Sequence, residues 1–295
     1  MLLRFRCENF RSIREEQELS LVSVNTRSDE RNASLIPTPI KNVSAVRSAA
    51  IYGANASGKS NVLRALQLLS TIISQSQRNW SPADPIPAWD PFLLDDSSIT
   101  GETTFQIDFV IERTVYNYGF RFNSLSFLDE WLIDATGRDK VLFRRSTTDK
   151  SVSVAFPGRN LATTGEESQH LELIRLQTRP NSLFLSSAAQ SNQKVLSNIF
   201  RWMHRQFRTL SRRDSTAPRY YTAEACSEPR FKERIKSLMR FADVGIADFE
   251  VAEEEAGEET KKFIAAFVSA LKERKKLGQI HRIGLSPHTE GTSSP

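Results

Sequence analysis

The sequence predicts an α/β fold, rich in strands at first and mainly helical later. Three observations carry this expectation. Apolar and polar residues alternate through much of the first 150 positions. A short apolar segment at 49–52 runs into a glycine-containing loop that opens a strongly periodic helix. Beyond about residue 165 the apolar spacing becomes mainly helical.

The elements follow in order. Leu3, Phe5 and Cys7 alternate with Arg4 and Arg6, as in a half-buried strand, and Glu18 to Val24 gives a second alternating run. Thr26 to Pro39 is polar and reads as a loop. Ala49-Ala50-Ile51-Tyr52 reads as a short strand ending at Gly53. From Lys59, the residues Val62, Leu63, Leu66, Leu69, Ile72 and Ile73 recur at helical spacing. The prolines at 82, 85, 87 and 91 place the end of that helix before Trp80. Thr104 to Ile111 and Thr114 to Phe122 form a hairpin turning at Glu112-Arg113, and strands are expected at Glu130 to Asp134 and Val141 to Arg144. Helices are expected at Asn192 to Leu210, Pro229 to Phe241 and Lys261 to Lys276, with Pro229 suited to a first helical position. The polar tail, 286–295, is expected to be disordered. The expected segments are thus a lobe at 1–165, a helical arm at 166–285 and the tail.

Composition excludes several classes. At 295 residues, 39% hydrophobic and 25% charged, the chain can bury a sizeable core. No apolar run reaches the roughly 18 residues of a membrane span. No signal-peptide core follows Met1-Leu2-Leu3-Arg4-Phe5-Arg6, and two cysteines, Cys7 and Cys226, make no disulfide framework. A cytoplasmic location and no membrane partner are expected. The net charge of +5 permits an anionic partner without requiring one. The basic cluster Arg201, His204, Arg205, Arg208, Arg212 and Arg213 could meet nucleic-acid phosphates, although a solvated face is the simpler reading. His170, His204, His281 and His288 are scattered, without the spacing of a metal site.

The chemistry lies in Gly53-Ala54-Asn55-Ala56-Ser57-Gly58-Lys59-Ser60, which fits the phosphate-loop pattern G-x-x-x-x-G-K-[ST] (Walker A) without a mismatch. Glycines allow backbone to approach phosphate closely, and successive backbone N–H groups can cradle an anion. The helix that follows adds its N-terminal donors and dipole. Lys59 supplies a countercharge to the phosphates and is the candidate catalytic residue. The Ser60 hydroxyl is a hard oxygen ligand suited to Mg²⁺. ATP with Mg²⁺ is the expected ligand, and the fold is expected to be that of a P-loop NTPase.

Gly53 to Asn61, GANASGKSN, resembles the nucleotide loop of the ABC-type ATPases related to RecF, SMC and OLD proteins. Glu8-Asn9-Phe10-Arg11-Ser12-Ile13 resembles the "NFRSI" opening of the same group. Pro91-Phe92, the aromatic hairpin, Ser182 to Gln190 and Ala242 to Ile246 are similar to segments of bacterial ATPases of the AAA group. The resemblance covers roughly residues 1–250 and implies an ABC-like antiparallel N-terminal sheet, an incomplete parallel core sheet and a helical arm. It also implies that Asn61, Arg11 and Ser12 join the nucleotide-binding set.

In that group, hydrolysis also needs an acidic strand end (Walker B) and a signature loop offered by a second subunit. Both normally come later than this chain extends. The resemblance therefore implies an ATPase whose C-terminal catalytic lobe is not in view. A homodimer or partner chain would complete it, and turnover would act on DNA or an effector protein. Two alternatives stand beside it. One is a nucleotide-gated binding module, or remnant, without turnover. The other is a simple P-loop NTPase using Asp129 and Glu130, which end the run Leu125-Ser126-Phe127-Leu128 about 70 residues after Lys59. A sheet strand with a solvent-facing acidic end is the simpler account of that pair.

Overall fold

The computed structural model describes residues 1–23, 35–148, 151–158, 160–207, 216–242 and 248–251. The chain divides into two compact units, Met1–Thr209 and Leu210–Pro295. The expected helix at 261–276 and the tail at 286–295 lie outside the described residues.

The first unit is mixed α/β. Strands β1 (Leu2–Glu8), β2 (Gln17–Ser20), β5 (Thr103–Ile111), β6 (Thr114–Phe122), β7 (Phe127–Asp134), β8 (Lys140–Thr148) and β9 (Ser151–Ala155) form one seven-stranded sheet in the order β2-β1-β5-β6-β7-β8-β9. Strands β3 (Leu35–Pro37) and β4 (Ser44–Val46) make a separate hairpin. Every strand pair among the described residues is antiparallel, and the parallel core sheet is not represented among them. The helices of this unit are α1 (Lys59–Gln75), α2 (Asp96–Ile99), α3 (Gly165–Gln177), α4 (Phe184–Gln190) and α5 (Lys194–Gln206).

Alternation explains the sheet. On β5 the side chains of Phe105, Ile107 and Phe109 are buried, and on β6 those of Tyr118, Phe120 and Phe122, so one sheet face is largely aromatic. Phe105 meets Phe120 and Phe122 edge-on, with ring centroids 5.9 and 5.7 Å apart. Such edge contacts contribute about 0.5–1.5 kcal/mol each beyond the area they bury. Onto this face α1 lays Ala65, Leu69, Ile72 and Ile73, all buried. Leu63, expected in that stripe, is 47% exposed, because it lies one residue, about 100° of helical rotation, beyond Val62. On the opposite face Trp131 covers Gly119, where a Cβ would come within 2.3 Å of the indole.

Two expectations are corrected here. Ala49–Tyr52 forms no strand: no strand among the described residues pairs with it, and Tyr52 is 89% exposed. Part of the expected 26–39 loop is instead β3, whose Ile36 pairs with Ala45.

The C-terminal end of α1 is clamped. Arg179 Nη2 donates to the carbonyls of Ser76 and Gln77 at 2.9 and 3.3 Å. Ser186 Oγ donates to the Ile73 carbonyl at 2.7 Å, and the Leu183 N–H reaches Ser76 Oγ at 3.3 Å. These bonds satisfy carbonyls that a helix end otherwise leaves unpaired.

In the second unit, α6 (Thr216–Ala225) precedes α7 (Pro229–Phe241), which starts on Pro229 as its spacing predicts. Lys236 pairs with Asp248 at 2.8 Å.

Candidate phosphate-binding site

The turn between β1 and β2 is built on Asn9. This residue is buried with φ near +50°, a conformation that Asn tolerates better than most side chains. Its Nδ2 donates to the carbonyls of Ser98 and Glu102 at 2.8 and 3.2 Å, and its Oδ1 accepts from the Phe92 N–H at 2.9 Å. Phe10 and Ile13 exchange backbone hydrogen bonds at 2.8 Å, which closes the turn. The side chains of Arg11, Ser12 and Arg14 therefore leave a fixed backbone in different directions.

Ser12 goes to the phosphate-loop segment. Its Oγ accepts from Asn61 Nδ2 at 2.7 Å and lies 3.4 Å from where a Gly58 Cβ would stand. Gly58, at φ +88°, is the N-cap of α1, and no side chain caps that helix end. A non-glycine residue would be strained there. The Gly58 carbonyl accepts from the Asn61 and Val62 N–H groups at 2.8 and 3.1 Å. Lys59 curls back over the loop, and its Nζ donates to the carbonyls of Gly53, at 2.8 Å, and Ala54, with Ser57 Oγ at 3.4 Å. Ala54, Asn55, Ala56 and Ser60 are exposed. Asn61 also accepts from Arg64 at 3.1 Å.

A cavity of about 710 Å³ opens beside this loop. Ser12 and Arg14 border it on one side, β2 and residues 49–52 form its walls, and Ser57, Gly58 and Lys59 form its other side. Its volume lies within the range of small-molecule sites. A larger hollow of about 920 Å³, beside Met1 and Trp202, holds none of the loop residues.

Arg11 turns elsewhere. Its Nε pairs with Asp90 at 3.2 Å, and it borders a separate groove with Arg64 and Gln67. The basic side chain that joins Lys59 at the cavity is Arg14. The sequence gives one signal for this. A tight turn reverses the chain between Phe10 and Ile13, so the residue leaving it differs in direction from the residue inside it.

Asp129 and Glu130 point to opposite faces of β7, as period-two alternation requires. Asp129 pairs with Arg121 on the exposed face. Glu130 is 1% exposed and accepts from Tyr118 Oη at 2.9 Å and from the N–H groups of Phe184 and Leu185 at 2.6 and 3.0 Å. Burial raises its carboxyl above the usual range and lowers the neighbouring Arg145 guanidinium. Arg145 in turn donates to the carbonyls of Phe127, Arg179 and Pro180. Glu130 is therefore part of a buried network at the start of α4, where it satisfies backbone donors. The expected solvent-facing acidic end holds for Asp129 and is corrected for Glu130.

In the basic cluster, His204 Nδ1 lies 2.9 Å from Ser74 Oγ, and Trp202 stacks on Phe109 at 4.8 Å. Arg208, Arg212 and Arg213 lie outside the described residues. Among the described residues no helix is long and apolar enough to cross a membrane.

Residues 48–276, about three-quarters of the chain, match the family model described as "AAA domain, putative AbiEii toxin, Type IV TA system". No curated protein matches the chain.

Proposed function

The chain belongs to this AAA-domain family, an ATPase at family level, and from that premise we propose that it binds ATP with Mg²⁺ in the cavity beside Gly53–Ser60. The observation that carries the proposal is convergence. Lys59, the loop backbone, Ser12 and Arg14 border one cavity of about 710 Å³, although they come from two separate parts of the sequence. The residues fit the ligand. Two cationic residues, Arg14 and Lys59, border the cavity, and α1 begins at the same loop without a side-chain cap.

In this reading Lys59 leaves its loop carbonyls to neutralise charge on the transferred phosphoryl group. The N–H groups of Gly53 to Ser60 hold the phosphates, and Ser12 and Asn61 fix the loop against the β1–β2 turn. Ser60 holds Mg²⁺, which when bound supplies further charge neutralisation. The proposed nucleotide-binding lobe is residues 1–165, followed by the helical segment 166–285, whose first helices, α3 to α5, pack in the same unit as the lobe.

We further propose the RecF/SMC/OLD-like form, in the cytoplasm, with a homodimer or partner chain; the placement of the acids supports the need for a second surface. Glu130 is committed to α4, so the simple P-loop NTPase using Asp129 and Glu130 has no free base in that pair. The acidic strand end and signature loop then come from another surface, and DNA or an effector protein is what turnover acts on. Without that surface the chain is a nucleotide-gated binding module.

Calorimetry with Mg-ATP tests the central claim. Lys59→Ala should weaken binding by roughly 10- to 100-fold, the value of a charged hydrogen-bonding group, with the thermal midpoint nearly unchanged. Equal affinities in mutant and wild type would end the proposal.

A further inference from the structure

Arg14 has a fixed backbone and a movable head. Its carbonyl accepts from the Asn9 N–H at 3.1 Å, so the turn anchors it whatever its side chain does. The side chain is 56% exposed, and its guanidinium donates through Nη2 to Asp95 Oδ1 at 3.1 Å. Asp95 depends little on that bond. It is the N-cap of α2, and its other oxygen, Oδ2, accepts from the Ser98 N–H at 3.0 Å and Ser98 Oγ at 2.9 Å, as well as from Ser97 Oγ. If Arg14 departs, Asp95 keeps its capping bonds and its Oδ1 faces water. The pair is thus an exposed ion pair of small worth.

Phosphate is the stronger competitor. It carries more charge than one carboxylate and takes the guanidinium in charge-assisted, bidentate bonds. The cavity that Arg14 borders is the one Lys59 borders. Glu18, also on its wall, is already paired with Arg6 at 2.7 Å.

We propose that Arg14 is a phosphate-binding residue of the nucleotide site and that Asp95 competes with the nucleotide for it, so that the exchange of Arg14 between carboxylate and phosphate sets the affinity of the site. This rests on the ATP-binding reading above. Arg14 adds a cation that the phosphate-loop pattern does not contain, and Asp95 tunes it from outside the cavity.

The test is a double-mutant cycle read by Mg-ATP calorimetry. Asp95→Asn retains an N-capping side chain and removes the charge. It should tighten binding by roughly two- to fivefold, the range of an exposed ion pair. Arg14→Ala should weaken binding about tenfold, as loss of a charge-assisted bond does, and Arg14→Lys should recover part of that loss. In the Arg14→Ala background, Asp95→Asn should bring no gain. If Asp95→Asn folds poorly, Asp95→Ser keeps the cap and serves instead. Arg14→Ala binding as well as wild type, or Asp95→Asn giving the same gain with and without Arg14, would overturn the proposal while leaving the site intact. Wild type failing to bind Mg-ATP, or Lys59→Ala binding as wild type does, would remove the nucleotide reading and this proposal with it.

Discussion

At the residue scale, neighbours in sequence have parted company in space. Asp129 and Glu130 are adjacent, yet one is paired on the surface and the other is sealed in the core. Glu130→Gln should therefore lower stability by about 2–4 kcal/mol, since an amide leaves one of its donors facing the N–H groups of Phe184 and Leu185. Asp129→Asn should cost within about 1 kcal/mol. Chemical denaturation separates the two, and equal effects would show that Glu130 is not a buried structural acid. Cys7 makes a second case. Burial, and then the nearby charge of Glu16, push its thiol up to about 12. The folded protein should leave Cys7 unalkylated at pH 8, with modification appearing only in denaturant, as mass spectrometry would show. The proposed phosphate loop is legible in the sequence because it is a contiguous pattern with a stated chemical job. Arg14 is not, because its direction depends on a turn held by Asn9, Phe92, Ser98 and Glu102, contacts that span up to 93 residues of sequence.

At the element scale, the strands that were read well are those whose burial is one-sided. The β5–β6 hairpin follows the expected register, Ile111 opposite Thr114, with Glu112 at positive φ in the turn. Strand β9 alternates Val152 and Val154 with serines, a pattern as readable as any, but five residues are too short a window to recognise. The segment 49–52 failed in the opposite way. Its residues suit a strand, but strand formation needs a hydrogen-bonding neighbour, and composition cannot supply one. Gly119 belongs to this scale too. Gly119→Ala should destabilise by about 1–3 kcal/mol, because the new methyl must displace the Trp131 indole that lies across it. Its thermal midpoint, compared with that of Trp131→Ala and of the double mutant, should show the penalty disappearing once the indole is gone.

For the whole molecule, the proposed site lies beside an exposed apolar surface. Ile51 and Tyr52 are 38% and 89% exposed beside the cavity, an apolar surface placed where another chain could cover it. On the proposed dimeric reading, ATP turnover per chain should rise with protein concentration, while nucleotide binding should not. Light scattering paired with steady-state hydrolysis would check this, and a monomer that turns over at a constant rate per chain would contradict it. The mechanical reading of α1 follows from its far end. Seventeen residues, roughly 25 Å at about 1.5 Å per residue, separate the phosphate loop from the bonds that Arg179 and Ser186 make to the helix terminus. A rod pinned at one end cannot slide along its axis. The pin is shared with α4 and, through Arg145, with the buried sheet. The loop end is tied by the 2.7 Å Asn61–Ser12 bond to the β1–β2 turn, so the helix is a strut that joins the loop and its turn to the core pin.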